Sequence, residues 1–278
     1  MPPTFSSGFT QCFPPAPNFV EKDVPDLSDK VYIVTGATSG VGRELARILY
    51  SKNATVYLAA RVESDTIQHI EHAEPRSTGT LVFLPLDLAD LRSVKAAAER
   101  FLAAEPRLHV LFNNAGVMTA DDGSAGGIEK TAQGYEKQLG VNCLGPFLFT
   151  KLLMPALLAT AADKDTHTHE VRVVFVSSFG AEIYYEKEIG IDLDNLDYHN
   201  PKPSVFRYGI SKVGAYTELF AGFSLEVTPE TAGYIFPFGR LQPICEELQR
   251  AAKSEGEGGV DLMRRFWEWS EKQVAPFI

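Results

Sequence analysis

Short apolar runs rich in β-branched residues alternate with longer segments of helical periodicity from residue 31 onward. Five such runs are present, at 31–36, 54–61, 80–87, 110–116 and 171–177. Parallel neighbouring strands need a crossover connection, usually a helix, so this order predicts βαβ units. The expected fold class is therefore α/β, with a doubly wound, mostly parallel sheet and helices on both faces in three αβα layers.

Helical segments lie between and after the apolar runs. They are expected at about 41–50, between the second and third runs, at 90–105, over roughly 131–162 and at about 205–225. Asp90 is the expected cap of the alanine-rich helix at 90–105. Pro146 and Pro155 lie inside the long segment at 131–162 and predict a break or kink there, because proline cannot complete the helical hydrogen bonds.

Composition narrows the classes of partner. The 278 residues include 26 basic and 36 acidic ones, and this net charge of −10 has the wrong sign for binding a phosphate backbone, so nucleic acid is not an expected partner. The cysteines, Cys12, Cys143 and Cys245, form no CxxC pair and predict neither a disulfide framework nor a metal site. Because no window reads as a signal peptide or a membrane span, we expect a cytoplasmic protein.

A glycine-rich loop, TGATSGVG, joins the first apolar run to the first helix. Gly36 permits the sharp exit from the strand, Gly40 lets the backbone approach a pyrophosphate, and Gly42 allows tight packing of the helix. The helix N-terminus adds free N–H groups and the positive end of its dipole. The loop predicts a Rossmann-like, dinucleotide-binding fold, while a tight turn in another α/β fold is the alternative.

Further motifs follow in chain order: NNAG at 113–116, Asn142, VSS at 176–178, and the YxxxK spacing of Tyr208 and Lys212. With the glycine loop, they resemble the short-chain dehydrogenase/reductase family, and in particular its fungal retinol-dehydrogenase-like branch. The resemblance implies an oxidoreductase with a nicotinamide cofactor, a small-molecule substrate and a homodimeric assembly. It implies cofactor contacts from Gly36, Thr38, Ser39, Gly40, Val41, Gly42, Arg61, Asp87, Leu88, Asn114, Ala115, Gly116, Tyr208 and Lys212.

The residue that ends the second strand bears on the choice of nucleotide. An acidic side chain there would bind a ribose hydroxyl and repel a 2′-phosphate, but this chain has Arg61. A cation at this position, helped by Arg43, favours NADP (NADPH) over NAD. A solvated arginine at a strand exit is the alternative for Arg61, and a helix-capping carboxylate is the alternative for Asp87.

Tyr208 and Lys212 are four residues apart and share a face of a helix. A cation near a phenol lowers the pKa of the phenol, which would make Tyr208 a usable general acid and base. The resemblance implies that Ser178 hydrogen-bonds the substrate oxygen and that Asn142 holds a water linked to Lys212. Ser177 is the less favoured serine.

Other features receive simpler interpretations. His167, His169 and Glu170 lie in a polar loop without a second pair of ligands, so we expect a solvated surface and no metal site. Trp267 and Trp269 are expected to pack the terminal helix onto the body, with a partner surface or a substrate-pocket wall as alternatives. Tyr184, Tyr185 and Tyr198 could close over a hydrophobic substrate or be ordinary loop residues.

The sequence departs from the family after Lys212, where no strand ending in Pro-Gly and no helical lid follow. We interpret this as an internal deletion, with GYIFPFGR at 233–240 moving beside strand five as a sixth parallel strand. Pro237 favours an edge or bulged position for this strand. The alternative is that FPFG is itself a diverged sixth strand with only the lid lost.

The expected organisation is an irregular arm at 1–28 and a single dinucleotide-binding and catalytic domain at 29–278. Within that domain, 179–207 forms a substrate loop and 241–278 a C-terminal helical segment. The first functional hypothesis is an NADP(H)-dependent oxidoreductase that interconverts a ketone or aldehyde and an alcohol on a small apolar substrate of secondary metabolism. The second is a scaffold that binds a nucleotide or small molecule without hydride transfer. A third is a shortened product with a marginal fold.

Overall fold

Five parallel strands form the main sheet of this computed structural model, which describes residue 13 and residues 19–119, 128–212, 235–236, 240–241 and 245–278. The strands are β1 (Val31–Thr35), β2 (Thr55–Ala60), β3 (Thr80–Pro85), β4 (Val110–Asn113) and β5 (Arg172–Phe175). Their order is β3-β2-β1-β4-β5, and every pairing is parallel. Each predicted apolar run contains one strand, so the predicted doubly wound, Rossmann-like sheet is confirmed.

Helices connect the strands and complete the described chain. They are α1 (Gly40–Ser51), α2 (Thr66–Ala73), α3 (Leu91–Ala104), α4 (Lys137–Leu139), α5 (Gly145–Ala162), α6 (Gly180–Ile183), α7 (Ser204–Ser211), α8 (Glu246–Ala252) and α9 (Leu262–Val274). Short 3-10 turns lie at Glu21–Asp23, Leu193–Asn195, Glu255–Glu257 and Ala275–Phe277. Asp90 caps α3, as predicted, because its carboxylate accepts from the backbone N–H of Arg92 at 3.0 Å. The part of the helix predicted over 213–225 lies outside the described residues.

The predicted sixth parallel strand is wrong. Ile235–Phe236 (β6) pairs antiparallel with Arg240–Leu241 (β7) in a separate two-stranded sheet, and within the described chain β5 is the edge of the main sheet. A parallel crossover needs a dozen or more residues, whereas only three residues separate β6 from β7, which is a hairpin spacing. Residues 233–234 and 237–239 of the predicted strand lie outside the described residues.

The two faces of the sheet are buried in two separate cores. In β1, Val31 and Ile33 face the core that contains Phe101 of α3 and Phe149 of α5. Tyr32, Val34 and the remaining residues of the opposite face pack with α1. Since all five residues of β1 are buried, this strand is the centre of a three-layer αβα arrangement.

The predicted break in the long helical region is a π-helical segment, Gly140–Leu144, between α4 and α5. Pro146 lacks an N–H and cannot donate to the carbonyl of Asn142, so regular α-helical bonding cannot continue through this point. The helical run begins at Lys137 rather than at 131, because a turn closed by the bridge between Lys130 and Glu136 precedes it. Pro155 remains inside α5.

One helical run among the described residues, Lys137–Ala162, is long and apolar enough to cross a membrane. Half of its most apolar window is buried inside the fold, as expected for a core helix, so it is weak evidence for a membrane span.

A third hydrophobic core joins the predicted substrate loop to the C-terminal helices. Its buried members come from α4, the loop, α7, α8 and α9, and are Leu139, Ile191, Leu196, Ile210, Ala251 and Leu262. Gly190, at φ +74°, lies so close to α9 that an added Cβ would be 2.6 Å from the Leu262 side chain. The C-terminal helices therefore stabilise the loop that leads into α7.

A buried histidine lies at the amino end of the sheet. The Nδ1 atom of His109 accepts a hydrogen bond from the backbone N–H of Val31 at 3.0 Å, and the residue is 2% exposed. Burial, and next the nearby charge of Lys30, lower the pKa of His109 to about 4. The folded protein therefore holds this imidazole neutral at neutral pH.

We predict that this histidine makes the protein less stable in mild acid. His109 has a pKa near 6.5 when unfolded and about 4 when folded, so between these values the unfolded chain binds more protons and acidification favours unfolding. Its contribution to the free energy of unfolding should fall by about 2 kcal/mol between about pH 7 and pH 5, measured by urea titration. In His109→Asn, which keeps an acceptor for Val31, that contribution should vanish. Identical pH dependence in both proteins would contradict the prediction.

Candidate active site

The glycine loop leaves β1 at the carboxyl edge of the sheet and leads directly into α1. Gly36 has a φ of +67° and Gly40 a φ of +53°, a conformation that other residues rarely adopt. Ser39 is extended, and α1 begins at Gly40. The backbone N–H groups of the first turn of α1 are therefore presented at the strand edge, where an anion can accept from them.

The loop is held against the end of β4. The side-chain amide of Asn114 donates to the carbonyl of Thr35 at 2.7 Å, and the N–H of Ala115 donates to the Thr35 hydroxyl at 2.9 Å. A Cβ on Gly42 would lie 2.4 Å from Asn114 Nδ2. The TGxxxGxG and NNAG motifs, 79 residues apart at Thr35 and Asn114, are thus parts of one site.

A cavity of about 570 Å³ lies along this edge. Eleven of the predicted cofactor residues line it, namely Gly36, Thr38, Ser39, Val41, Gly42, Arg61, Asp87, Leu88, Asn114, Ala115 and Gly116. Gly40, Tyr208 and Lys212 are not among its lining residues. The analysis of the sequence missed other lining residues, namely Thr35, Ala59, Ala60, Val62, Leu86, Ala89, Val117, Lys137 and Val141. Most of them flank the recognised motifs, whereas Lys137 and Val141 come from the start of the long helical region, which no motif marks.

The charged residues of the cavity suit an anionic nucleotide. Arg61 is exposed at its wall and has no ion-pair partner in the described part of the chain. In α1, the Nε atom of Arg43 is buried and has no hydrogen-bond partner among the described residues. The Asp87 carboxylate accepts from the N–H of Ala89 at 2.9 Å, so it also supports the turn before α3. A long cavity, free helical N–H groups and an unpaired arginine fit a dinucleotide.

The side chains of Tyr208 and Lys212 lie together, as their spacing predicts. The ammonium group of Lys212 is 5.9 Å from the centroid of the Tyr208 ring and donates to the carbonyl of Val176 at 2.9 Å. Lys212 is 5% exposed, and a Cβ on Gly116 would be 2.7 Å from its Nζ atom. The lysine therefore touches the NNAG segment, and this contact joins the tyrosine–lysine pair to the cavity.

Asn142 lies in the π-helical segment, and its side chain is fully engaged as a donor. Its Oδ1 atom accepts from the N–H of Val117 at 2.8 Å. Its Nδ2 atom donates to the carbonyl of Val117 at 2.9 Å and to the Ser211 hydroxyl at 2.8 Å. A water near Lys212 would therefore have to be held by Oδ1 or by the main chain of Asn142, since neither N–H of the amide is left.

The two serines that follow β5 have different partners. The Ser177 hydroxyl donates to the carbonyl of Lys212, so it supports the end of α7. The Ser178 hydroxyl accepts from the N–H of Gly180 at 3.1 Å, which leaves its own O–H to donate. A Cβ on Gly180 would lie 3.4 Å from Ser178 Oγ and 3.6 Å from the Tyr208 ring, so the serine and the tyrosine flank the same glycine.

A buried ion pair that the sequence did not predict connects α7 to the residue before α4. Arg207 donates through Nε to the Glu136 carboxylate at 3.3 Å, and their side chains are 8% and 1% exposed. The other oxygen of Glu136 accepts from the N–H of Leu139 at 2.7 Å and caps α4. Because Arg207 precedes Tyr208, this pair connects α4 directly to the helix that carries the tyrosine.

The remaining candidates have ordinary structural contacts. Glu170 pairs with Lys30 at 2.8 Å, and no group of three or more potential metal ligands occurs within the described ranges. Trp267 packs edge-on against Phe147 of α5, and Trp269 packs against Tyr135. Of the loop tyrosines, Tyr198 is buried, Tyr185 donates to Glu247 of α8, and Tyr184 packs against Phe206. These tyrosines hold the loop to its neighbours.

The family model for short chain dehydrogenases matches residues 30–189. The chain belongs to the short-chain dehydrogenase family. A short-chain dehydrogenase/reductase from Phomopsis amygdali is 41% identical over 337 aligned positions, which cover 99% of this chain and 98% of that relative. Another from Neocamarosporium betae is 42% identical over 330 positions, covering 98% and 94%. A third, from Phaeosphaeria nodorum, is 49% identical over 214 positions, covering 76% and 67%.

Among solved structures, an uncharacterized protein from Mycobacterium paratuberculosis has a TM-score of 0.51 and 30% sequence identity. The match covers 70% of this chain and 62% of that one. As a short-chain dehydrogenase, this protein is an oxidoreductase with a nicotinamide cofactor and a small-molecule substrate.

We predict that the buried ion pair of this short-chain dehydrogenase is needed for stability. Glu136→Gln removes the carboxylate charge that pairs with the buried Arg207 guanidinium, and breaking a buried pair from one side should lower the free energy of unfolding by about 3–5 kcal/mol. Glu129→Gln is the matched control, because the exposed pair of Glu129 with Lys137 should contribute about 1 kcal/mol or less. Urea titrations of both variants measure the difference. Equal losses would show that the Glu136 pair is no more important than a surface pair.

Proposed function

We propose that this protein is an NADP(H)-dependent short-chain oxidoreductase that interconverts a ketone or aldehyde and an alcohol. Arg61 is the observation that supports NADP. It is exposed on the cavity wall at the end of β2, and no described acidic side chain pairs with it. A free guanidinium at this place can bind a 2′-phosphate with two hydrogen bonds. NAD has no such phosphate and would leave this arginine without a partner.

The proposed binding mode uses the whole carboxyl edge of β1, β2 and β4. The N–H groups at the start of α1 hold the pyrophosphate, and Asp87 with Leu88 borders the adenine. Asn114, Ala115 and Gly116 line the opposite wall. The cofactor, when bound, supplies or takes up the hydride.

The proton chemistry is proposed for Tyr208 within α7 and Lys212 at its end, together with Ser178 and Asn142. Tyr208 donates its phenolic proton to the carbonyl oxygen during reduction and takes it back during oxidation. The Lys212 ammonium lies 5.9 Å from the centroid of the Tyr208 ring, and its position against Gly116 places this pair beside the cavity. Within the described residues the Ser178 O–H donates to no other group, so it can bind the same substrate oxygen, and Asn142 keeps Val117 in place.

We further propose that an internal segment is missing after Lys212. The lengths of the alignments support this, because 337 and 330 aligned positions exceed the 278 residues of this chain by 59 and 52. The alignment that covers 76% of the chain needs only 214 positions, so it contains few unmatched ones. Without this segment, the hydride path would lose the cover that otherwise excludes water from it.

This observation favours a second candidate, a scaffold that binds nucleotide without hydride transfer. In this reading, the cavity and Arg61 are retained while turnover is lost. A shortened product with a marginal fold is the third reading, and a low, broad melting transition would support it.

The remaining parts of the proposal concern the setting of the enzyme. We propose a small apolar substrate of secondary metabolism, a homodimer and a cytoplasmic location. We also propose that the chain consists of an arm at 1–28 and one domain at 29–278. That domain contains a substrate loop at 179–207 and a C-terminal helical segment at 241–278. The packing of α9 on α5 through Trp267 and Phe147 means that part of the long helix is covered by this chain itself.

We predict that Arg61→Ala will weaken NADPH binding selectively. Losing a charge-assisted contact to the 2′-phosphate should raise the Kd for NADPH at least about tenfold, while the Kd for NADH should stay within about twofold. Calorimetry on both nucleotides measures this. Arg76→Ala is the control, because Arg76 precedes β3 at the amino end of the sheet. Equal weakening for both nucleotides would contradict a phosphate contact.

We also predict that Tyr208→Phe will abolish turnover without abolishing binding. The variant keeps the ring beside Lys212 but removes the proton donor, so kcat for NADPH oxidation with benzil, an apolar diketone, should fall by about a hundredfold or more. The Kd for NADPH should change little. If neither protein turns over although both bind NADPH, the scaffold reading gains support and the oxidoreductase proposal loses it.

A further inference from the structure

Ser211 lies between the two residues to which the proton chemistry is assigned, and its hydroxyl has two partners. It donates to the carbonyl of Tyr208 at 2.8 Å, within the last turn of α7. It accepts from Nδ2 of Asn142 at 2.8 Å, across from the π-helical segment. The residue is 3% exposed, so water cannot take the place of either partner without rearrangement. A single hydroxyl therefore joins α7 to the π-helical segment.

Three hydrogen bonds set the orientation of the Asn142 amide, and the Ser211 hydroxyl accepts one of them. Val117 contributes both a donor and an acceptor to Asn142, at 2.8 and 2.9 Å, and the second N–H of the amide has Ser211 as its partner. Because Ser211 can accept from Nδ2, it disfavours a flipped amide, which would place Oδ1 opposite a hydroxyl whose proton is already given to Tyr208. The amide is therefore kept with Oδ1 toward Val117.

The Asn142 amide and the tyrosine–lysine pair are close to each other beside Gly116. A Cβ added to Gly116 would lie 2.7 Å from Lys212 Nζ and 3.3 Å from Asn142 Oδ1. The lysine ammonium and the asparagine oxygen thus face the same small space beside the NNAG backbone. If the amide turned, this oxygen would be replaced by an NH2 donor, whose partly positive hydrogens would face the lysine ammonium.

We propose that Ser211 is a positioning residue for the Tyr208–Lys212 pair, which it serves by fixing the Asn142 amide and, through that amide, the backbone of Val117. This inference rests on the proposed oxidoreductase function. The hydroxyl touches neither substrate nor cofactor, and it acts through Asn142.

The other contacts at the end of α7 do not duplicate this role. The thiol of Cys143 donates to the carbonyl of Ser211 at 3.0 Å, and Ser177 donates to the carbonyl of Lys212. Both contacts hold the main chain of α7 and leave the Asn142 amide untouched. Removing only the hydroxyl of Ser211 should therefore keep the helix in place while the Asn142 amide loses one of its three hydrogen bonds and is held by Val117 alone.

The test compares the wild type with Ser211→Ala, Ser211→Thr and the control Ser270→Ala. Ser270 is 2% exposed and donates to the carbonyl of Phe266 in its own helix, so its removal costs a similar buried hydroxyl away from Asn142. We expect Ser211→Ala to lower kcat about tenfold with benzil and NADPH, while KM for benzil and KM for NADPH stay unchanged. Ser211→Thr, which keeps a hydroxyl, should restore most of kcat, and Ser270→Ala should leave it unchanged.

A second measurement keeps the inference testable without turnover. Loss of the Ser211 contact should speed hydrogen exchange of the Val117 amide, read by nuclear magnetic resonance, in Ser211→Ala but not in Ser270→Ala. Unchanged exchange and unchanged kcat in Ser211→Ala would overturn the proposal. If the wild type fails to bind NADPH by calorimetry, the proposed function is contradicted, and the Val117 exchange alone then decides whether Ser211 holds this segment.

Discussion

The hydrogen bonds that Thr35 makes across the centre of the sheet determine where everything else in the site lies. The order β3-β2-β1-β4-β5 reverses direction between β1 and β4, and connections that diverge at such a point leave a crevice at the carboxyl ends of the strands. Thr35 closes the base of that crevice, because its carbonyl and hydroxyl bind Asn114 and Ala115. The glycine loop and the NNAG segment are therefore fixed relative to each other before any ligand arrives.

The parts of the fold that could be predicted are those specified by residues close in the sequence. Each strand of the main sheet is an apolar run, and the glycine loop and the YxxxK spacing are local patterns whose geometry follows from a turn or a helix. The sixth strand was wrongly predicted because an apolar run does not specify which strand it pairs with. In the structure β6 pairs with β7, which follows after three residues. The pairing of Glu136 with Arg207 joins residues 71 apart, and no local pattern marks either of them.

Charged residues in and around the cavity differ in whether the fold pairs them. Glu136, Arg207 and Lys212 are buried, and each is hydrogen-bonded within the fold, which satisfies the requirement that a buried charge be paired. Arg61 is exposed on the cavity wall and unpaired in the described part of the chain. Arg61 is therefore available to an anionic ligand, whereas the buried charges support the fold.

The end of α7 is held by side chains from two other elements. A helix leaves its last carbonyls without partners, and these usually depend on the chain that follows. Here the carbonyls of Ser211 and Lys212 accept from Cys143 and Ser177, which come from the π-helical segment and from the end of β5. Those two elements also carry Asn142 and Ser178. The segments that carry Asn142, Ser178, Tyr208 and Lys212 are thus hydrogen-bonded to one another within the described part of the chain, so a side chain in one segment is positioned by contacts from the others.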